Sequence, residues 1–156
     1  MAAFRLVFTA EGITLVTTGG WKTAIQLLAP THQRVEILSY GANPRGVTNS
    51  SPPVRLRLVR QTSAGTGGTP VTAEKRSSGG SETPQTTALK GPFSAEPTLS
   101  GGALDLQNTH PQQGMEEPAL IPEQYVMFGA ERWALQYWND AGEANLVTDF
   151  NIAVIE

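Results

Sequence analysis

The chain has 156 residues, of which 39% are hydrophobic and 16% charged, with a formal net charge of −3 and no cysteine. This length favours one domain with a single core, and the lack of cysteine excludes disulfides, thiolate zinc sites and a cysteine nucleophile. Because Lys and Arg are few and scattered, the composition also argues against nucleic acid or an anionic membrane as a partner.

The N-terminus does not have the pattern of a targeting segment. The stretch "MAAFRLVFTAEG" has one Arg, a short apolar run and then Glu11, without the basic start and long apolar centre of a signal peptide. No apolar run in the chain approaches the ~18 residues that span a bilayer. We therefore expect a protein that is made in the cytoplasm and does not enter a membrane.

The first strand pattern begins near the N-terminus. Phe4, Leu6 and Phe8 share one strand face, with Arg5 and Thr9 on the other. Glu11-Gly12 predicts a turn, and "ITLVTT" predicts a returning strand of a hairpin. We expect this segment either to add an edge strand to the body or to reach onto a neighbouring protein, with the three apolar side chains as buried anchors.

Alternation continues through the middle of the chain. "KTAIQLLAP" and "RVEILSYGA" are predicted strands, and in the second the alternation places Ser39 on the inner face and Tyr40 on the outer face. The clearest strand is "VRLRLVR", whose apolar residues face inward while Arg55 and Arg57 face outward.

The C-terminal part repeats the strand pattern. "GALDLQN" places Leu104 and Leu106 on one face, "YVMF" is a short strand, and the Pro-rich "HPQQGMEEPALIPEQ" is predicted as mostly loop. In "RWALQYW", Trp133 faces the core and Trp138 the opposite side. The closing "ANLVTDFNIAVIE" is a long alternating strand.

A polar segment rich in Gly, Ser, Thr and Pro occupies residues 61–102. Strands on both sides look alike, and neither flank holds enough of them for a core of its own, so the segment is an excursion within one domain. Because long structureless loops are uncommon in compact domains, its apolar islands at 71–73, 88–89 and 93 should pair as edge strands or hairpins. The excursion can serve as a ligand loop or as a surface for a neighbouring subunit.

These patterns predict an all-β fold, an antiparallel two-sheet sandwich of about eight or nine strands. A jelly roll is the favoured topology, and an immunoglobulin-like sandwich is the rival. The predicted division is an N-terminal hairpin or arm at 1–20 and a sandwich domain at 21–156 that contains the excursion.

Few residues in the sequence have the pattern of a catalytic, metal-binding or phosphate-binding site. His32 and His110 each lie beside a proline-containing turn without paired ligand spacing, which argues against a metal site. No G-x-S-x-G motif occurs, and "GTGGTP" lacks the Gly-Lys-Ser/Thr of a phosphate loop. Trp21 follows two glycines, and an aromatic there serves either a protein interface, where Trp is enriched, or local packing.

The order of five segments resembles small proteins encoded by tailed bacteriophages and prophages: "KTAIQLLAPTHQRVEILSYGA", "VRLRLVRQTSAGTGG", "FSAEPT", "HPQQG" and the terminal "FNIAVIE". The likeness covers roughly residues 20–156 and is to capsid decoration, or cement, proteins with a β-sandwich or jelly-roll body. Members of that family bind the outside of the mature icosahedral shell, commonly as trimers or dimers at capsomer junctions, and strengthen it.

The resemblance implies a structural virion protein on the outer surface of the capsid. Its partners would be the major capsid protein and copies of itself, with a trimer favoured over a dimer, and it implies no catalytic residue, metal or cofactor. The expected interface residues are Phe4, Leu6, Phe8, Trp21, Arg55 and Arg57. The alternative is a carbohydrate-binding or receptor-binding β-sandwich module of a phage tail or fibre.

Overall fold

The computed structural model describes residues 5–17, 19–47, 52–76, 83–118, 125–139 and 144–156. Within these ranges the chain forms twelve β-strands and no helix. The strands are β1 (Arg5–Thr14), β2 (Lys22–Leu28), β3 (Val35–Pro44), β4 (Val54–Gln61), β5 (Thr69–Val71), β6 (Ala73–Lys75), β7 (Thr87–Lys90), β8 (Leu99–Thr109), β9 (Met115–Pro118), β10 (Val126–Met127), β11 (Arg132–Trp138) and β12 (Val147–Ile155).

These strands build two six-stranded antiparallel sheets, as the alternating patterns predicted. Sheet A has the order β10-β3-β12-β1-β6, with β9 also paired to β3. Sheet B has the order β5-β7-β2-β11-β4-β8. The prediction of an all-β, two-sheet sandwich is therefore confirmed.

The pairing of the longer strands is nested. β1 pairs with β12, β2 with β11, β3 with both β9 and β10, and β4 with β8. The chain thus follows the path of one long hairpin whose arms alternate between the two sheets, and this order favours the jelly roll over its rival. The excursion lies at the tip of that hairpin, between β4 and β8.

The core fills the space between the sheets. Phe8 and Phe150 from sheet A meet Trp133 and Tyr137 from sheet B, all of them buried, and the rings of Tyr137 and Phe150 stack at 5.7 Å. Burying each such side chain stabilises the fold by roughly 1.5–3 kcal/mol. The inward direction of Trp133 and the inner face of β12 agree with the sequence alternation.

β1 is a single strand, where the sequence pattern predicted a hairpin. The pairing with β12 continues on both sides of a bulge between Ala10 and Ile13. Gly12 takes a positive φ of 68° there and donates its N–H to Asp149 Oδ1 at 2.8 Å. A glycine in this conformation fits a bulge as well as a turn, so residues 5–14 form a strand inside sheet A, flanked by β12 and β6.

The structure differs from the sequence predictions at two other places, and both differences arise from pairing with a neighbouring strand. A register shift around Leu38 in the pairing of β3 with β12 reverses the alternation, so Tyr40 faces the core in place of Ser39. β9 forms within the segment that the prolines marked as loop, because its four residues pair with β3. Neither feature can be read from one strand alone, since both depend on the neighbouring strand.

The apolar islands at 71–73 and 88–89 pair as expected, whereas Phe93 lies outside the strands. Val71 lies in β5, Ala73 in β6 and Ala88 in β7, and these strands extend the two sheets beyond β1 and β2. Glu156 fastens the excursion to the end of β12. Its carboxylate accepts the backbone N–H groups of Gln85 and Thr86, each at 2.8 Å.

Candidate protein-binding surface

The outer face of sheet B is formed by the residues that alternate away from the core on β2, β4 and β11. Because Leu56 and Leu58 face inward, Arg55 and Arg57 face outward. On β11 the same rule turns Gln136 and Trp138 outward. The register pairs Arg57 with Gln136 and Arg55 with Trp138 across the two strands.

One end of this face carries two tryptophans and two arginines, which we call the Trp–Arg cluster: Trp21, Arg55, Arg57 and Trp138. The two indole rings meet edge to face, with centroids 5.5 Å apart. The guanidinium carbon of Arg57 lies 4.2 Å from the Trp21 centroid. That of Arg55 lies 5.6 Å from Trp21 and 5.2 Å from Trp138. These distances are those of cation–π contacts.

Exposed leucines on β8 adjoin the Trp–Arg cluster. Leu106 lies directly opposite Arg57 in the ladder and is 49% exposed. Leu104, which lies at a bulge in the pairing of β8 with β4 two residues earlier, is 37% exposed. We call Leu104 and Leu106 the leucine stripe. Together the cluster and the stripe form a surface with aromatic, cationic and aliphatic parts.

The other end of the face carries a buried polar network on β2, β4 and β11, made of Thr23, Gln26, Gln61 and Gln136. Gln26 donates to Gln61 Oε1 at 2.6 Å, and Gln61 donates to Thr23 Oγ1 at 3.2 Å. Gln136 donates to the same Thr23 oxygen at 3.0 Å. Each of the four residues is at most 5% exposed, so their hydrogen bonds replace those that water would make.

The excursion covers this polar network. The backbone carbonyl of Ser63 accepts from Gln26 Nε2 at 3.0 Å, and Gly65 N donates to Gln26 Oε1 at 3.3 Å. From the other arm of the excursion, Glu96 Oε2 accepts the Thr23 N–H at 2.9 Å. The arms also bridge each other, with Thr66 N donating to the Ala95 carbonyl.

Phe93 fastens the cover. It is only 9% exposed, and its ring lies against Gly65 and Gly68, where an added Cβ would come within 2.2 and 2.4 Å of ring carbons. The glycines of "GTGGTP" therefore make room for an aromatic ring, in keeping with the sequence argument against a phosphate loop.

Arg57 joins the two ends of the face. Its Nε donates to Gln136 Oε1 at 2.8 Å, and through Gln136 it connects to Thr23. Burial lowers the pKa of Arg57 relative to its ordinary value, but arginine stays charged at any physiological pH. The polar network thus fixes the position of one cation of the Trp–Arg cluster.

The structure brings three of the six expected interface residues together: Trp21, Arg55 and Arg57. Leu6 and Phe8 are fully buried in the core of their own chain and cannot anchor a neighbour. Because β1 lies inside sheet A, residues 5–14 belong to the body of the fold and do not form an arm onto a neighbour. Phe4 lies outside the described residues.

Sequence reasoning did not assign Trp138 or the leucine stripe to this surface. Alternation gave their directions, but the proximity of Trp138 to Trp21, and of Leu106 to Arg57, follows from pairing between strands distant in sequence. The signal that could have identified Trp138 was the position of a tryptophan on the polar side of a strand.

Other chemistry is weakly represented in the described part of the chain. No group of three His, Cys, Asp or Glu side chains there could hold a metal ion. Four open depressions among the described residues have volumes of about 80 to 450 Å³, and the one of 450 Å³ is lined by Pro30, Thr31, His32, Gln33 and Gln85. None of the described segments is a helix that could cross a membrane.

No protein-family model, curated protein or solved structure matches this chain.

Proposed function

We propose that this protein is a structural virion component, a capsid decoration protein that binds the outer surface of a tailed-phage head and stabilises the shell. The resemblance supplies the phage setting. The observation that carries the binding role is the Trp–Arg cluster, in which Arg55 is exposed and the other three residues are partly buried, together with the adjoining exposed leucine stripe. The partner in this proposal is the major capsid protein at capsomer junctions.

The composition of the surface supports protein binding. Tryptophan and arginine are the residues most enriched among those that dominate binding energy at interfaces. The cation–π contacts hold both arginines in place before binding, which lowers the entropy that a partner's arrival would cost. A neighbour packed on the leucine stripe would remove the two leucines from water.

Attachment to a lattice also explains why a modest surface is enough. Several copies joined in one homo-oligomer act through effective concentration, so each contact can be weak. Because such a protein binds the assembled shell in preference to free subunits, it stabilises the shell by mass action. The resemblance implies a trimer more than a dimer.

The carbohydrate-binding alternative receives less support from the geometry. Sugar rings pack on open faces of aromatic side chains, and Arg57 already occupies a face of Trp21 at 4.2 Å. A glycan array probed with the protein should therefore show no specific signal. Strong binding to a defined glycan would favour the alternative.

The direct test is co-sedimentation with purified phage heads. Undecorated, expanded heads should pellet the protein up to a fixed stoichiometry, and heads that already carry their decoration should not. Saturating binding should also raise the temperature at which the heads release DNA. Failure to bind any expanded head of a tailed phage from the same source would contradict the proposal.

A further inference from the structure

The Trp–Arg cluster carries two positive charges without an acidic partner among the described residues. Arg55 is exposed and Arg57 is partly buried, and both lie on the outer face of β4. Their cross-strand neighbours on β8 and β11 are all neutral: Leu106, Asn108, Gln136 and Trp138. Within the part of the chain that the structure describes, neither arginine forms an ion pair. The described strands therefore leave both charges uncompensated.

Arg57 and Arg45 differ in their electrostatic surroundings. Arg45 binds Asp149 Oδ2 at 2.6 Å, and this carboxylate raises the pKa of Arg45 above its ordinary value. Burial lowers the pKa of Arg57, and no described carboxylate lies close enough to raise it. The hydrogen bond that Arg57 makes is to a neutral group, because its Nε donates to Gln136 Oε1. Its terminal nitrogens have no acceptor among the described residues.

A protein that covers the cluster removes the water that solvates these guanidinium groups. Arginine stays charged when it is buried, and a buried charge without an opposite charge is strongly unfavourable. A wholly neutral partner surface would therefore bind the cluster poorly. A carboxylate replaces the lost water, because its two oxygens can accept from two guanidinium N–H groups at once.

We propose that the partner surface presents an aspartate or glutamate carboxylate to Arg55 and Arg57, beside an apolar side chain that packs on Leu106. This inference rests on the proposed function, because it concerns the surface of the capsid protein that covers the cluster. Both guanidinium carbons lie within 5.6 Å of the Trp21 centroid, so one acidic segment can reach both. Leu106 lies opposite Arg57 and is 49% exposed, which makes it available for the apolar contact.

A carboxylate fits this protein better than the phosphate of a nucleic acid. The chain has 11 Lys and Arg residues against 14 Asp and Glu, with a formal net charge of −3. Long-range repulsion therefore opposes the approach of a polyanion, whereas contact with one carboxylate depends on the charges close to it. The apolar side chain of Leu106 beside the arginines also suits a protein segment more than a phosphate backbone.

The first experiment measures the affinity for undecorated heads by co-sedimentation at low and high salt. Arg55→Gln removes the charge, and Arg55→Lys keeps it. At low salt Arg55→Gln should bind about tenfold more weakly than wild type, the effect of one charge-assisted hydrogen bond, and Arg55→Lys should lose less. High salt should weaken wild type and narrow its difference from Arg55→Gln. Arg60→Gln, outside the cluster, is the matched control and should bind like wild type.

The second experiment changes the head. Conversion of its exposed carboxylates to amides with a carbodiimide and ethanolamine should weaken wild-type binding by about tenfold or more. Heads treated with ethanolamine alone should bind normally, and electron microscopy should show both preparations intact. On amidated heads wild type and Arg55→Gln should bind equally, because the group that Arg55 contacts has lost its charge. Nuclease treatment of the heads should leave binding unchanged.

The outcomes distinguish this inference from the proposed function. The inference is overturned, and the proposed function stands, if wild type binds heads but Arg55→Gln and Arg55→Lys bind alike. Binding that survives amidation, or that nuclease abolishes, would overturn it as well, the latter by showing that the anion is a phosphate. Wild type that binds no head would contradict the proposed function and the inference with it.

Discussion

The two ends of the outer face of sheet B differ in how far their side chains are covered from water. At one end the polar network lies under the excursion and is at most 5% exposed. At the other end, which begins only two residues away along the same strands, the Trp–Arg cluster and the leucine stripe have no such cover among the described residues. The side chains match this difference. Glutamine amides need complete hydrogen bonding when buried, whereas tryptophan and arginine combine apolar bodies with polar tips and tolerate a surface that is sometimes wet.

The difference indicates what the long excursion is for. Two segments of it, residues 63–68 and 93–96, cover one half of a sheet face, and Gly65, Phe93 and Glu96 hold them in place. The side chains at the covered end stabilise the fold. We propose that those at the open end bind a partner.

The largest expected effect is on the covered end. Phe93→Ala should lower the free energy of unfolding by about 3–5 kcal/mol, because the ring that packs on Gly65 and Gly68 is lost. Urea denaturation measures this directly. Phe128→Ala is the control, since Phe128 is 55% exposed, and its effect should be several times smaller. A loss under 1 kcal/mol for Phe93→Ala would mean that the cover is not anchored by this residue.

Breaking the polar network should have an intermediate effect. Gln136→Leu removes the acceptor of Arg57 Nε and a donor to Thr23. Leaving such buried groups unpaired should cost about 1–3 kcal/mol of stability. Gln112→Leu, at an exposed position, should change stability by less than about 0.5 kcal/mol. Equal values for the two variants would show that the network contributes nothing to stability.

A substitution at the open end should barely change the free energy of unfolding. Arg55→Glu loses cation–π contacts at an exposed site, which are worth about 0.5–1 kcal/mol, and no core packing. Thermal or urea unfolding should therefore place it close to wild type. A loss as large as that of Gln136→Leu would show that this end, too, serves the fold.

A further effect concerns stability in acid and a carboxylate on the inner side of β8. Burial alone would raise the pKa of Asp105, but hydrogen bonds from Tyr40, the Leu106 N–H and Tyr125 lower it overall. With a folded-state pKa below the unfolded value of about 3.9, the carboxylate stabilises the fold above that value. Its contribution is lost as the pH falls through about 4 towards the folded pKa.

The matching experiment compares denaturation midpoints between neutral and acid pH. Asp105→Asn should be less stable than wild type at neutral pH and should lose less stability on acidification. The pKa of Asp149 is lowered as well. Burial alone would raise it, but hydrogen bonds from Arg45 and Gly12 lower it overall. Asp149→Asn should therefore remove a separate part of the acid loss. Parallel pH profiles for wild type and Asp105→Asn would contradict the assignment.

Sequence alternation predicted the fold class and most strand faces, including the outward direction of Arg55 and the core position of Trp133. It failed at Gly12 and Leu38 because a bulge is a relation between two strands, and one strand's pattern does not contain it. The polar network escaped prediction for a related reason. Glutamines on the outer face of a strand look solvent-exposed until the cover that buries them is known.

The sequence pointed to several residues of the candidate site, but it did not show that they lie together. Trp21, Arg55 and Arg57 stood out by residue type, but their proximity depends on the pairing of β11 with both β2 and β4, which lie more than 70 residues earlier in the chain. Leu6 and Phe8 stood out equally, and only the position of β1 inside sheet A shows that they serve the core.

The most direct test of the central claim, that the open end of sheet B binds protein, compares two charge reversals on β4 by co-sedimentation with undecorated heads. Arg55 lies over Trp21 and Trp138, and Arg60 lies 5.0 Å from the centroid of Trp133, outside the Trp–Arg cluster. Both are exposed arginines in a cation–π contact. We predict that Arg55→Glu lowers occupancy at least tenfold while Arg60→Glu binds like wild type. Equal occupancy for the two variants would contradict the account.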